Sequence, residues 1–112
     1  MPNSSGLMNC RDAISKTDAT VVALLKEAGA FHPGITNCSE FFMWYESNNK
    51  IYGRFHNPYD LWHIVGGSSG GEGCSVGAAC SVISVGSEIG SSIWMPAFFN
   101  GIFGHKPSPD LR

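Results

Sequence analysis

GGSSGGEG (Gly66–Gly73) and GSEIGSSIWMP (Gly86–Pro96) decide the reading of this chain. In the first, glycines flank Ser68 and Ser69, which lets the backbone adopt conformations closed to residues with a Cβ and lets other chain segments approach closely. Small residues follow, and a helix is expected over Cys74–Ser81, then a strand near Val82–Val85. After the second stretch, Ile93–Phe99 suits another helix and Gly101–Lys106 another short strand, ended by Pro107 and Pro109. Helices alternating with short apolar strands indicate an α/β architecture with a mixed, largely parallel sheet flanked by helices.

Upstream, Thr17 or Asp18 can cap a helix running to about Ala28, with Val21, Leu24, Leu25 and Ala28 on one core-facing stripe and Gly29 as its left-handed stop. The stretch through Ile35 is an imperfect strand, because Pro33 has no N–H and Gly34 weakens a ladder. Ser39–Ser47 carries Phe41, Phe42, Met43, Trp44 and Tyr45 on one or two helical turns. Core packing is the first expectation for that cluster; lining an apolar substrate pocket is the second.

The chain has 112 residues and a formal net charge of -2, within the size of one domain or part of one. Its seven cationic residues are scattered, so neither a nucleic-acid stripe nor a polybasic membrane patch forms. No apolar run reaches the ~18 residues of a membrane span. Cys10, Cys38, Cys74 and Cys80 lack Cys-x-x-Cys spacing and read as reduced, buried thiols in an intracellular protein, with no metal site.

A glycine and serine loop can serve several chemistries. A phosphate loop would need a Gly-Lys-Ser/Thr ending, whereas Gly70 and Gly71 precede Glu72. Gly67–Gly71 also fits the nucleophile elbow G-x-S-x-G with Ser69 as nucleophile, but that mechanism needs an acid and then a histidine downstream. The only downstream histidine is His105, which reads better as structural.

Taken together, the two stretches, the small-residue helix between them, FFNGIFGHKPSP (Phe98–Pro109) and TNCSE (Thr36–Glu40) resemble the amidase signature, in wording like that of the fatty-acid amide hydrolase branch. The resemblance covers nearly the whole chain, so residues 1–112 are expected to be a partial amidase domain with its signature at 66–96, the fold being incomplete in this chain. It implies a Ser-Ser-Lys triad acting on amides without metal or organic cofactor. Ser92 matches the nucleophile and Ser68, 24 residues earlier, the bridging serine that follows a cis peptide bond. Ile89, Gly90 and Ser91 match the turn whose backbone N–H groups form the oxyanion hole. Implied with it are a small-molecule lipid amide as substrate, no nucleic acid, and membrane or lipid-droplet association. The reading of Ser92 as a helix cap beside Ile93 stands next to the catalytic one.

Two departures bear on activity. The resemblance puts the family's lysine at the end of an apolar strand, farther upstream of Ser68 than the 67 residues available, so before Met1. Lys16, Lys26 and Lys50 sit in no such motif, and the chain alone is expected to be nearly silent. Trp94 stands where the signature has an arginine placed to pair with the acid at position 88, so Glu88 is expected to lose its partner. A non-catalytic remnant that binds lipid or a partner protein is the alternative.

Overall fold

The computed structural model describes residues 1–109. Among these residues, three α-helices and one short hairpin stand out from turns and irregular backbone: α1 (Thr20–Glu27), β1 (Asn48–Asn49), β2 (Gly53–Arg54), α2 (Gly70–Gly77) and α3 (Trp94–Phe99). Single 3-10 turns lie at Met8–Cys10 and Glu40–Phe42. β1 and β2 pair antiparallel, Asn48 opposite Arg54 and Asn49 opposite Gly53. Isolated bridges join Pro2 to Ile14 and His56 to Ile64.

α1 ends as its sequence predicts, with Gly29 at φ +89°. Its start differs: Ala19 holds the N-cap position with no side-chain bond, and the Asp18 carboxylate turns instead to the Lys26 ammonium at 2.6 Å. The apolar stripe is not core within these residues. Val21 and Leu24 are exposed, Leu25 is half-buried and no residue of α1 is fully buried, because the described residues cover that face only in part.

α2 starts four residues before the expected Cys74, inside the glycine run. The reason is packing: a Cβ on Gly73 would stand 2.9 Å from both Pro96 Cβ and Asn100 Nδ2, so the bare glycine face is what allows α2 to lie against α3. Neither expected strand, Val82–Val85 or Gly101–Lys106, enters a ladder, and Val82 and Phe103 are fully exposed. A strand needs a neighbour to satisfy its N–H and C=O groups, and the described residues offer these segments none. The stretch through Ile35 is likewise irregular.

The interior is polar. Among the described residues, Val65, Pro96 and Ala97 are buried apolar side chains, while Ser4, Asn37, Ser39, Ser47, Asn49, Asn57, Ser68 and Asn100 are buried polar ones. Each buried polar group needs a partner to offset its lost hydration, and here the partners are backbone groups of distant loops. Asn100 Nδ2 donates to Val65 O at 2.8 Å and to Pro96 O at 2.7 Å. Asn57 Nδ2 donates to Phe99 O at 2.9 Å. These bonds fix the end of α3 against the segment that leads into the glycine loop.

The aromatic cluster overturns the core expectation: Phe41, Phe42, Met43, Trp44 and Tyr45 are all exposed, and Trp44 stacks on Tyr45 with ring centroids 4.4 Å apart. The four cysteines are free, but none is buried; Cys80 is exposed and the others are half-buried. Burial still pushes the Cys38 and Cys74 thiols above their ordinary range, so neither is a ready thiolate. Among the described residues, no helix is long and apolar enough to cross a membrane.

Candidate active site

The glycine loop and the second serine turn meet. Ser69 N–H donates to Ser92 O at 3.2 Å, which ties the backbone one residue past Ser68 to that of Ser92. Ser69 Oγ adds a second tie by accepting from Ser87 N–H at 3.3 Å, with Ser87 O at 3.4 Å. Two turns 24 residues apart in sequence are thereby held side by side.

Ser68 is buried and follows a cis peptide bond from Gly67. The loop around it is pinned from three sides. Ser47 Oγ donates to Gly66 O at 2.9 Å and accepts from Gly70 N–H at 2.9 Å. Gly71 N–H donates to Asn37 O at 3.1 Å. Glu72 receives the Thr36 hydroxyl at 2.5 Å, which joins the first turn of α2 to the TNCSE segment.

Ser92 lies two residues before α3, half-buried, and its hydroxyl bonds to no other described residue. The cap position of α3 is Ile93, so Ser92 is not the helix cap that one sequence reading allowed. Glu88 takes that role: its Oε2 accepts from Ile93 N–H at 2.6 Å and from Trp94 N–H at 3.3 Å. Burial pushes the Glu88 pKa up, but the N–H groups of Ile93, Trp94, Ser92 and Ser91 outweigh it, and the net direction is down. As expected with Trp94 in place of an arginine, Glu88 has no ion-pair partner among the described residues; backbone N–H groups take the place of one. Backbone donors satisfy one oxygen; the other, Oε1, is buried without a hydrogen bond among the described residues.

Glu88→Ala is therefore expected to cost about 1 kcal/mol at neutral pH, the usual value of a lost cap. Because its folded pKa lies below the ordinary 4.5, the contribution is present above that value and fades as pH falls through the folded pKa. Urea melts of the two chains should differ at pH 7 and converge as the pH falls below the ordinary carboxylate range and the Glu88 carboxylate takes up its proton. A gap of constant size would show that the carboxylate charge is irrelevant.

Between Glu88 and Ser92, Ile89 and Gly90 are exposed and Ser91 has φ +73°. The Ile89 and Gly90 N–H groups have no acceptor among the described residues. An open cleft of ≈ 1020 Å³ runs past the site, lined by Phe42, Tyr52, Phe55, Ser68, Ser69 and Val85 among others. Its volume suits an organic ligand with a substantial apolar part. Of the aromatic cluster, only Phe42 reaches it. Ser92 lines neither this cleft nor the neighbouring one of ≈ 860 Å³, which Glu88, Ile93, His105 and Lys106 border. No lysine among the described residues bonds to Ser68 or Ser92, and Lys26 is engaged by Asp18. The serine-rich turns were legible in the sequence; the supporting Ser47 and Asn37 were not, since each reads alone as an ordinary loop residue.

The amidase family model matches residues 1–111. The chain belongs to the amidase family. It is 83% identical over 111 residues to fatty-acid amide hydrolase 2 of Homo sapiens, which covers 99% of this chain and 21% of that protein. It is 64% identical over 108 residues to fatty-acid amide hydrolase 2-A of Danio rerio, covering 96% of this chain and 20% of that one. The crystal structure of a glutamyl-tRNA(Gln) amidotransferase subunit from Thermotoga maritima superposes with a TM-score of 0.83 at 36% identity, over 87% of this chain and 22% of that chain. The architecture is therefore part of the α/β amidase fold, and the chain spans about a fifth of the length of the curated relatives it matches.

Proposed function

We propose that this segment supplies the serine pair of an amidase that hydrolyses fatty-acid amides through an acyl-enzyme on Ser92. The observation that carries the reading is the Ser69 N–H to Ser92 O bond, which sets the turn bearing Ser68 beside the turn bearing Ser92. A neutral serine hydroxyl is a weak nucleophile and must give up its proton as it attacks the carbonyl carbon. Ser68 passes that proton to a lysine and returns it to the departing amine. That lysine is not Lys16, Lys26 or Lys50. Without it the chain alone reacts slowly, since general-base assistance is worth roughly 10²- to 10⁴-fold.

Charge that develops on the carbonyl oxygen is received by the turn Ile89-Gly90-Ser91, whose N–H groups at 89 and 90 are free of protein acceptors among the described residues. No step in this chemistry calls for a metal or organic cofactor. The preference for a long apolar acyl chain is supported by the cleft beside Ser68 and by the human and zebrafish relatives, both fatty-acid amide hydrolases. Association with membranes or lipid droplets belongs to the same proposal, as the means of meeting such a substrate.

The test is fluorophosphonate labelling, with the modified serine located by mass spectrometry. It is applied to this chain and to human fatty-acid amide hydrolase 2 in which this chain replaces the segment it matches. Expected are slow labelling of the chain and stoichiometric labelling of the chimera at Ser92. A non-catalytic remnant is the competing reading, favoured by Trp94, half-exposed beside Glu88 where the signature carries arginine. An unlabelled chimera that is folded and still binds a fatty amide would establish the remnant.

A further inference from the structure

We propose that Ser47 is a positioning residue for the Ser68 turn, its hydroxyl clasping the two ends of the glycine loop; the proposal rests on the roles proposed for Ser68 and Ser92. Ser47 is completely buried and immediately precedes β1. Its backbone is fixed from outside the loop, since Phe55 N–H donates to Ser47 O at 3.0 Å next to the β1–β2 hairpin.

The side chain then reaches the loop at both ends. One hydroxyl can donate once and accept up to twice. Here the proton goes to Gly66 O at 2.9 Å, Ser68 O lying farther off at 3.4 Å, and the oxygen accepts from Gly70 N–H at 2.9 Å. The five residues from Gly66 to Gly70 are thus closed into a ring by one side chain, with Ser68 at the centre. The fit is tight, because a Cβ on Gly70 would stand 2.8 Å from Ser47 Cβ.

This position matters for chemistry more than for fold. The helix that follows is separately held by Gly71 N–H to Asn37 O and by Thr36 to Glu72. The Ser92 side has its own ties through Ser69, Ser87 and Glu88. Beyond the Ser69 N–H to Ser92 O bond next to it, the placement of Ser68 between them rests on the Ser47 hydroxyl. Proton relay between two hydroxyls needs heavy atoms within hydrogen-bond reach, so a loop free to drift loses rate without losing substrate affinity.

The proposal is tested with Ser47→Ala and Ser47→Thr. In this chain, the Gly70 amide of Ser47→Ala should exchange with solvent at least about tenfold faster. The Ala28 amide, bonded to Leu24 O at 3.0 Å in α1, should keep its rate. In the chimera, Ser47→Ala should lower kcat about 10- to 100-fold with KM changed less than about threefold, and Ser47→Thr, which restores the hydroxyl, should recover most of the loss. Should Ser47→Ala fail to fold, Ser47→Cys, which keeps an atom at the γ position and weakens both bonds, gives the same comparison. Unchanged Gly70 exchange, or a threonine variant as slow as alanine, overturns the clasp. If the unsubstituted chimera is not labelled at Ser92, the function reading falls instead, and the exchange experiment alone decides whether the clasp exists.

Discussion

Ser92→Ala is expected to lower fatty-amide hydrolysis by about 10⁴-fold or more in the chimera with human fatty-acid amide hydrolase 2, because removing a nucleophile abolishes the acyl-enzyme route altogether. What survives is the contribution of substrate binding and the oxyanion turn, worth roughly 10³- to 10⁴-fold over the reaction in water. Ser68→Ala should fall less, by about 10²- to 10⁴-fold, the range of general acid–base assistance. The third serine of the cluster discriminates between mechanisms. Ser69 is the nucleophile position of the G-x-S-x-G pattern, yet its hydroxyl is occupied with Ser87 N–H at 3.3 Å and Ser87 O at 3.4 Å. It serves to hold the two turns together, so Ser69→Ala should cost no more than about tenfold. Rates measured under single-turnover conditions, with fluorophosphonate labelling alongside, separate the three. A chimera that keeps its rate in Ser92→Ala and loses it in Ser69→Ala would replace the Ser-Ser-Lys reading with the elbow.

Much of the candidate site was legible because its two turns have an unusual local composition. The glycine and serine runs at 66–73 and 86–92 stand out against any background, and α3 begins within one residue of its expected start at Ile93. α2 was misplaced for an instructive reason. Glycines at 70, 71 and 73 read as loop because glycine disfavours helix, yet they are helical, the lost propensity being outweighed by the contacts that bare backbone permits. The strand expectations at 82–85 and 101–106 fail, because an apolar run becomes a strand only beside a neighbour that pairs it, and the described residues supply none. The interior was the least visible part. Buried apolar positions reveal themselves by periodicity, whereas buried Asn37, Ser47, Asn49, Asn57 and Asn100 follow no period and are recognisable only by their partners. One signal was present: several asparagines and serines crowd the loops between Thr36 and Asn57, a stretch otherwise rich in large aromatic residues.

Gly71→Ala puts that polar interior to its most severe trial, and the expected loss is about 3 kcal/mol or more, enough to abolish a cooperative urea transition in a chain with so small an apolar core. A Cβ at Gly71 would stand 2.6 Å from the backbone nitrogen of Asn37 and closer still to its carbonyl oxygen, the atom that Gly71 N–H itself engages at 3.1 Å. Asn37 cannot retreat cheaply. Its Nδ2 donates to Gly53 O at 3.0 Å, and its Oδ1 accepts from Asn49 Nδ2 at 2.6 Å and from Cys38 N–H at 3.0 Å. Asn49 in turn donates to Cys38 O at 2.8 Å. Moving Asn37 by the required ångström breaks several of these bonds at once, and each buried group left unpaired costs ~1 to 3 kcal/mol. Gly34→Ala supplies the contrast, since a Cβ there meets nothing within 4 Å and should stabilise slightly, by about 0.4 to 1 kcal/mol, through the unfolded chain. If Gly71→Ala melts with the parent chain, the Asn37 loop yields to the added Cβ at little cost, and the close approach of α2 to that loop is not what holds the polar interior together.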